Sequence, residues 1–287
     1  MTHTSLGIWP GLLTLALVAA CSDKGGESGT TGVTDDTAPT TNNDDTGGTT
    51  TTDDTGGTTT ALSYTLEGQA LDLATHDVAA AGLCVVAFNA DAAVTGGDPV
   101  EMARATVAAG GVFSISGVDA KPAFGILLSV RDCNDEGTVV PTATPVLPST
   151  YSSVVTGDTI SGLAAFSVSA AFGAGIDGSL AAVGYPGTIA TDGALMGGVW
   201  DNTYTPIDGA TVTGATTVFY QDTDSADGLY STGTSLNAAT SAAAGSLFLI
   251  PAAAVSTYSA TAEGYTFGGN TLGSSPGSIV FAPIIAN

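Results

Sequence analysis

The sequence predicts a mainly β protein: two β-sandwich modules with one short helical insertion, following a disordered stalk. Three observations carry this reading. Short runs of Val, Thr, Tyr and Phe, broken by Gly, Pro, Asn and Asp, recur through residues 62–287, which is the pattern of strands and turns. One Ala-rich stretch near residue 170 has apolar residues at helical spacing. Residues 22–61 contain no Leu, Ile or aromatic residue, and eight acids stand there against Lys24. Such a segment cannot bury enough apolar area to offset chain entropy.

The chain opens on an apolar run from Ile8 to Ala20. That is long enough for a signal core and too short to span a bilayer. The run ends Leu17-Val18-Ala19-Ala20-Cys21. This pattern resembles the lipobox of bacterial lipoprotein signal peptides. The resemblance implies loss of residues 1–20 and acylation of Cys21 as the first mature residue. An ordinary secretory signal with an incidental cysteine is the alternative, and the early residues carry His3 but no Lys or Arg. Ser22 at the next position is similar to an outer-membrane sorting residue, so the expected location is the cell envelope, anchored by lipid at the outer membrane.

Residues 21–61 follow as an acidic Thr/Gly/Asp linker. The stretch around Asp44-Asp45 recurs nine residues later around Asp53-Asp54, and Asp35-Asp36 resembles an earlier copy. Forty Gly/Thr-rich residues span roughly 35 Å as a random chain. The reading is a flexible stalk; the Asp pairs lack the alternating ligand spacing of calcium loops.

Strands are expected at Leu83–Asn89, Gly111–Ser116, Gly125–Arg131, Ala210–Gln221, Leu247–Ile250 and Tyr258–Ala262. Phe113/Ile115 and Ile126/Leu128/Val130 alternate as half-buried strands require. A helix is expected between Ala170 and Val183, with Phe172, Ile176, Leu180 and Val183 on one stripe and Gly184 as its cap. The division is therefore a first module over 62–150, a connecting segment with the helix over 151–190, and a second module over 191–287. Val85, Phe113, Ile115 and Leu128 are expected inward in the first module. Val212, Leu247, Leu249 and Tyr258 are expected inward in the second.

The modules read as degenerate copies. Glu67-Gly68-Gln69-Ala70-Leu71-Asp72 has its counterpart in Gly197-Gly198-Val199-Trp200-Asp201. Gly82-Leu83-Cys84-Val85 matches Gly209-Ala210-Thr211-Val212, and Gly111-Val112-Phe113-Ser114-Ile115 matches Gly245-Ser246-Leu247-Phe248-Leu249. With Pro206-Ile207-Asp208-Gly209-Ala210-Thr211-Val212 and Glu263-Gly264-Tyr265, this order resembles the carboxypeptidase regulatory-like, or transthyretin-like, β-sandwich. The resemblance covers 196–267 and, more weakly, 66–133. It implies an Ig-like sandwich fold and a surface location, with no catalytic residues of its own.

The formal net charge is −23, and the basic residues are Lys24, Arg104, Lys121 and Arg131. That balance argues against a nucleic-acid or other polyanion partner. Cys84 begins one expected strand and Cys133 ends another. Antiparallel pairing would bring them within disulfide reach, in an oxidising compartment; two buried thiols are the alternative. Asp222, Asp224 and Asp227 precede Gly228 and form the best candidate calcium site. A solvated acidic turn is the plainer reading, and no other cofactor is expected. Trp200, Tyr204, Phe219, Tyr220 and Tyr230 suit either a sugar-stacking platform or a core.

No catalytic constellation stands out. His76 lies beside Asp77, but neither a nucleophile elbow nor a phosphate loop occurs. The expected function is a non-catalytic envelope lipoprotein, a structural or interaction module whose partners are the membrane, through its lipid, and an envelope protein or polysaccharide. The alternatives are a calcium-dependent or carbohydrate-binding adhesin and an accessory subunit of an envelope enzyme.

Overall fold

The computed structural model describes residues 61–207, 209–220 and 247–287. The first half supplies strands β1 (Tyr64–Asp72), β2 (Cys84–Asn89), β3 (Val100–Thr106), β4 (Val112–Val118), β5 (Ile126–Arg131), β6 (Val139–Val140), β7 (Thr142–Val146) and β8 (Thr159–Ser169). Single helical turns α1 (Asp91–Val94) and α2 (Pro148–Tyr151) lie among them, and the longer α3 (Ala170–Ala182) and the short α4 (Ile189–Asp192) follow. The second half supplies β9 (Ala194–Trp200), β10 (Thr211–Thr213), β11 (Phe219–Tyr220), β12 (Leu247–Pro251), β13 (Ser256–Thr261), β14 (Asn270–Leu272), β15 (Ile279–Phe281) and β16 (Ile284–Ile285). The protein is mainly β.

The expected alternation is what builds the first sandwich. In β4, Phe113 and Ile115 are buried while Val112, Ser114 and Ser116 face solvent. Leu66 and Ala70 of β1, Val85 and Ala87 of β2, and Ile126, Leu128 and Val130 of β5 complete one core with them. Two sheets enclose it. One has the order β4-β1-β8-β6, and the other contains β3-β2-β5-β7. Burial of this set is the main stabilising term, at about 25 cal/mol per Å² of apolar surface.

The second sandwich repeats the plan. β1 lies between β4, antiparallel, and β8, parallel. β9 lies likewise between β12, antiparallel, and β15, parallel. β2 pairs antiparallel with β5, and β10 pairs antiparallel with β13. The close contacts recur too. Gly68 sits opposite Phe113, and a side chain there would strike that ring and the Leu163 carbonyl. Gly197 sits opposite Phe248, and a side chain there would strike that ring and the Ala282 carbonyl. Each opening strand thus needs a glycine where its parallel neighbour's backbone comes closest.

The two sandwiches are stitched into one continuous sheet. β7 pairs with β5 of the first and with β15 of the second, giving nine strands in the order β11-β12-β9-β15-β7-β5-β2-β3 with β16 beside β9. Register alternation divides the second-half part of this sheet between two cores. Leu195, Val199, Phe248, Ile250 and Val280 face the β10 and β13 side with Val212 and Tyr258. Ala194, Met196, Leu249, Ile279 and Phe281 face the other way, onto Ile176 and Leu180 of α3.

Three expectations change in detail. The segment 151–190 contains the expected helix, with Ser169 capping it by accepting from the Phe172 N–H at 3.2 Å. It also contains β8, an eleven-residue strand at the centre of the first sandwich's sheet. Its small, polar sequence, Thr-Ile-Ser-Gly-Leu-Ala-Ala-Phe-Ser-Val-Ser, hides the alternation. Ala210–Gln221 is not one strand: Gly214 turns with φ at +97°, separating β10 from β11. And β12 is buried on both faces, so Leu249 and the half-buried Leu247 point toward α3, while Phe248 and Ile250 join Val212 and Tyr258.

Candidate functional site

Cys84 and Cys133 are joined by a disulfide with their Cα atoms 5.0 Å apart. The reason is strand register: Cys84 lies opposite Arg131 across the β2–β5 ladder, so the chain needs only two more residues to bring Cys133 alongside. The bridge closes a 49-residue separation, worth about 4 kcal/mol on the chain-entropy model.

Arg131 lies along the face of that ladder that carries Cys84 and Val86. Its Nη2 donates to Ser129 Oγ at 3.1 Å, and its guanidinium sits 4.9 Å from the centre of the Phe88 ring. The side chain roofs Val86 and Ser129, both buried. Its Nε is buried without a hydrogen-bond partner, and burial pulls its pKa below the usual arginine value despite nearby Glu101. On the neighbouring edge strand, Arg104 and Glu101 form a two-point ion pair at 2.6 Å. That pair is exposed and contributes little stability, but it charges the open edge against unwanted pairing.

The acids near the fold serve its backbone. Asp132 is buried, and its carboxylate accepts from Thr138 N at 2.8 Å, from Val139 N at 3.3 Å and from the Thr138 hydroxyl. Burial works to raise its pKa, but the hydrogen bonds from Thr138, Val139 and Gly137 win, and it ends below the usual carboxylate range. Asp91 accepts from Ala123 N and Phe124 N, and Asp177 from Ile189 N. Tyr64 and Tyr151 reach across the core to donate to the carbonyls of Ala120 and Pro122, each at 2.7 Å. Burial, with Asp119 adding, pushes the Tyr64 phenol up to about 12.

His76 is exposed at a turn, with φ at +60°, and its N–H donates to the Asp72 carbonyl. Asp72 and Asp77 close the same turn through their backbones. Among the described residues no group of three or more His, Cys, Asp or Glu is placed to hold a metal ion. Cys21, Asp222, Asp224, Asp227 and Tyr230 lie outside the described residues. No described helix is long and apolar enough to cross a membrane.

The aromatic candidates part company. Phe219 and Tyr220 are buried, and the Tyr220 hydroxyl accepts from Val212 N at 2.8 Å. Trp200 and Tyr204 instead stand at the end of β9, on the α3 side of the sheet. Their rings are 6.4 Å apart in an edge-to-face arrangement. Tyr204 is 40% exposed and is held at φ +61°. Asp201 fixes that turn: one carboxylate oxygen accepts from Thr203 N, Thr203 Oγ1 and Thr205 N. The Thr203 hydroxyl leads the causes that hold the Asp201 carboxyl below its usual range. Trp200 lies flat over Gly198, where any side chain would meet the indole. Sequence composition alone offers no means to separate these four rings. Their burial does separate them: both rings of β11 are covered although that strand ends the sheet, whereas Tyr204 stands exposed in the 201–205 turn beyond β9.

No protein-family model matches this chain, and no curated protein matches it. Among solved structures it is similar to the Bacillus anthracis TIE protein, at 12% identity and a TM-score of 0.24. That alignment covers 79% of this chain and 34% of the other, so this chain spans about a third of that protein's length. It is also similar to the shaft pilin SpaA from Lactobacillus rhamnosus GG, at 10% identity and a TM-score of 0.22, over 79% of this chain and 97% of that one. A streptococcal ancillary pilin aligns over 78% of this chain and 68% of its own, at 10% identity and a TM-score of 0.22. The fold described above rests on the sheets and cores of this chain itself.

Proposed function

We propose that this protein is a non-catalytic structural or interaction module of the cell envelope, anchored by lipid on Cys21. The observation that carries the non-catalytic reading is how the fold uses its polar groups. Among the described residues the six buried polar side chains, Ser129, Asp132, Thr142, Thr144, Ser167 and Ser179, each hydrogen-bond to their own chain. Buried groups tied down in this way brace strands and turns; a reacting acid or base needs a free proton site.

The disulfide supports an extracytoplasmic address, since such bonds persist in oxidising compartments. The Leu-Val-Ala-Ala-Cys run supports the lipid anchor. A surface with four basic residues and a net charge of −23 has nothing to hold it to anionic headgroups except acyl chains. The test is Cys21→Ser. Membrane fractionation of the variant should show it released to the soluble fraction or retained as unprocessed precursor. Correctly cleaved variant that still pellets with membranes would refute the anchor.

A further inference from the structure

We propose that the Tyr204–Trp200 end of the second sandwich is a binding strip for a neutral polysaccharide. Three features converge there. First, the rings form a continuous series from surface to core: Tyr204 to Trp200 at 6.4 Å, Trp200 to Phe281 at 6.5 Å, and Phe281 to Phe166 at 4.6 Å. Phe281 is buried beneath the series, whereas Trp200 and Phe166 are half-buried and Tyr204 is exposed. Ring surface thus reaches solvent at Tyr204 and, in part, at Trp200 set edge to face beside it, with the inner rings backing the pair. The axial C–H groups of a pyranose are slightly positive and fit the negative face of such a ring.

Second, the exposed ring is held in place at a cost. A bulky residue at φ +61° is disfavoured, and the hydrogen bonds that Asp201 accepts from Thr203 and Thr205 keep Tyr204 there. Tyr204 packs edge to face on Trp200 and is 40% exposed, so only part of it is committed to the fold. A ring whose orientation is set before binding loses little entropy when it binds. Gly198, by leaving room for the indole to lie flat, sets the second ring in the same way.

Third, the polar groups around the strip suit hydroxyls and repel acids. Asp201 uses one carboxylate oxygen in the turn and has the other to accept from a sugar hydroxyl; Asn202 and Thr203 are exposed beside it. The described cations, Arg104, Lys121 and Arg131, belong to the first sandwich. A uronate or phosphate polymer would meet Asp201 with no counter-charge. The ligand class is therefore a neutral glycan. The inference stands whether or not Cys21 carries lipid.

The experiment uses the full chain with Trp9→Phe, which leaves Trp200 as its only indole. Tryptophan emission is titrated with cellohexaose, N-acetylated chitohexaose, xylohexaose and mannohexaose, and with polygalacturonate as the acidic control. The expected result is a saturable change with at least one neutral oligosaccharide. Tyr204→Gly, which eases the backbone while deleting the ring, should bind about tenfold more weakly with its melting temperature unchanged or raised. Tyr204→Leu, which keeps apolar bulk but no π face, should lose binding similarly. The proposal is overturned by no saturable change with any neutral sugar, by equal affinity in both variants, or by tighter binding of polygalacturonate.

Discussion

At the scale of single residues, carboxylates decide the fine structure of this molecule. Asp132, buried where the chain leaves β5, collects the backbone donors of Thr138 and Val139 and so ties the start of β6 to the end of β5. Asp132→Ala removes these charge-assisted hydrogen bonds and should cost about 1–3 kcal/mol, read from denaturant unfolding. The native carboxyl titrates below its unfolded value. Its contribution is therefore complete above the ordinary carboxylate range near pH 4 and is lost as pH falls through the lower, folded value. The wild type should lose stability on acidification more steeply than Asp132→Asn; parallel acid limbs would refute the role. Little of this shows in sequence. An Asp immediately before Cys133 invites a surface reading, and only the register that buries it reveals its partners.

At the scale of elements, strands with bulky alternating residues were legible and strands of small residues were not. Phe113/Ile115 and Ile126/Leu128/Val130 mark β4 and β5 plainly. β8 is built from Ala, Ser, Gly and Thr around Leu163, Phe166 and Val168, so its period is faint although it is central. Those small residues have a purpose: β1 and β8 approach too closely at Gly68 and Leu163 for a side chain to intervene. Gly68→Val should therefore break the β1–β8 ladder and cost about 3 kcal/mol or more, as overpacking against backbone does. The thermal midpoint checks it, and a loss under about 1 kcal/mol would show that the strands can spread. The helix was legible because its four apolar positions and its terminal glycine coincide.

At the scale of the whole molecule, repetition was visible in sequence but the join was not. The paired motifs around Gly68 and Gly197 occupy equivalent places, but the second pairing is shifted by one residue: the counterpart of Phe113 is Phe248, where the sequence match aligned Leu247. What no motif announces is β7, five residues that extend the first sandwich's sheet into the second. Nor does any motif say that β8, after the expected boundary at residue 150, completes the first. A chain ending at Thr150 leaves β1 with one bare edge and part of its core uncovered. It should show no cooperative thermal transition by circular dichroism or calorimetry. A sharp melt near that of the full chain would mean that the first sandwich closes without β8.

The placing of β1 also governs how the protein meets a pull. Tension arriving through Ala61 reaches the fold at the start of β1, which is held on one side by β4 and on the other by β8, parallel to it over seven registered residues. A tug along the strand axis loads those hydrogen bonds together in shear, instead of opening them one at a time from an end. On the anchor proposed above, the first strand to receive the load is thus held on both sides. Force spectroscopy on the intact chain should show resistance fall sharply when Gly68→Val loosens that grip, and an unchanged rupture force would place the mechanical clamp elsewhere.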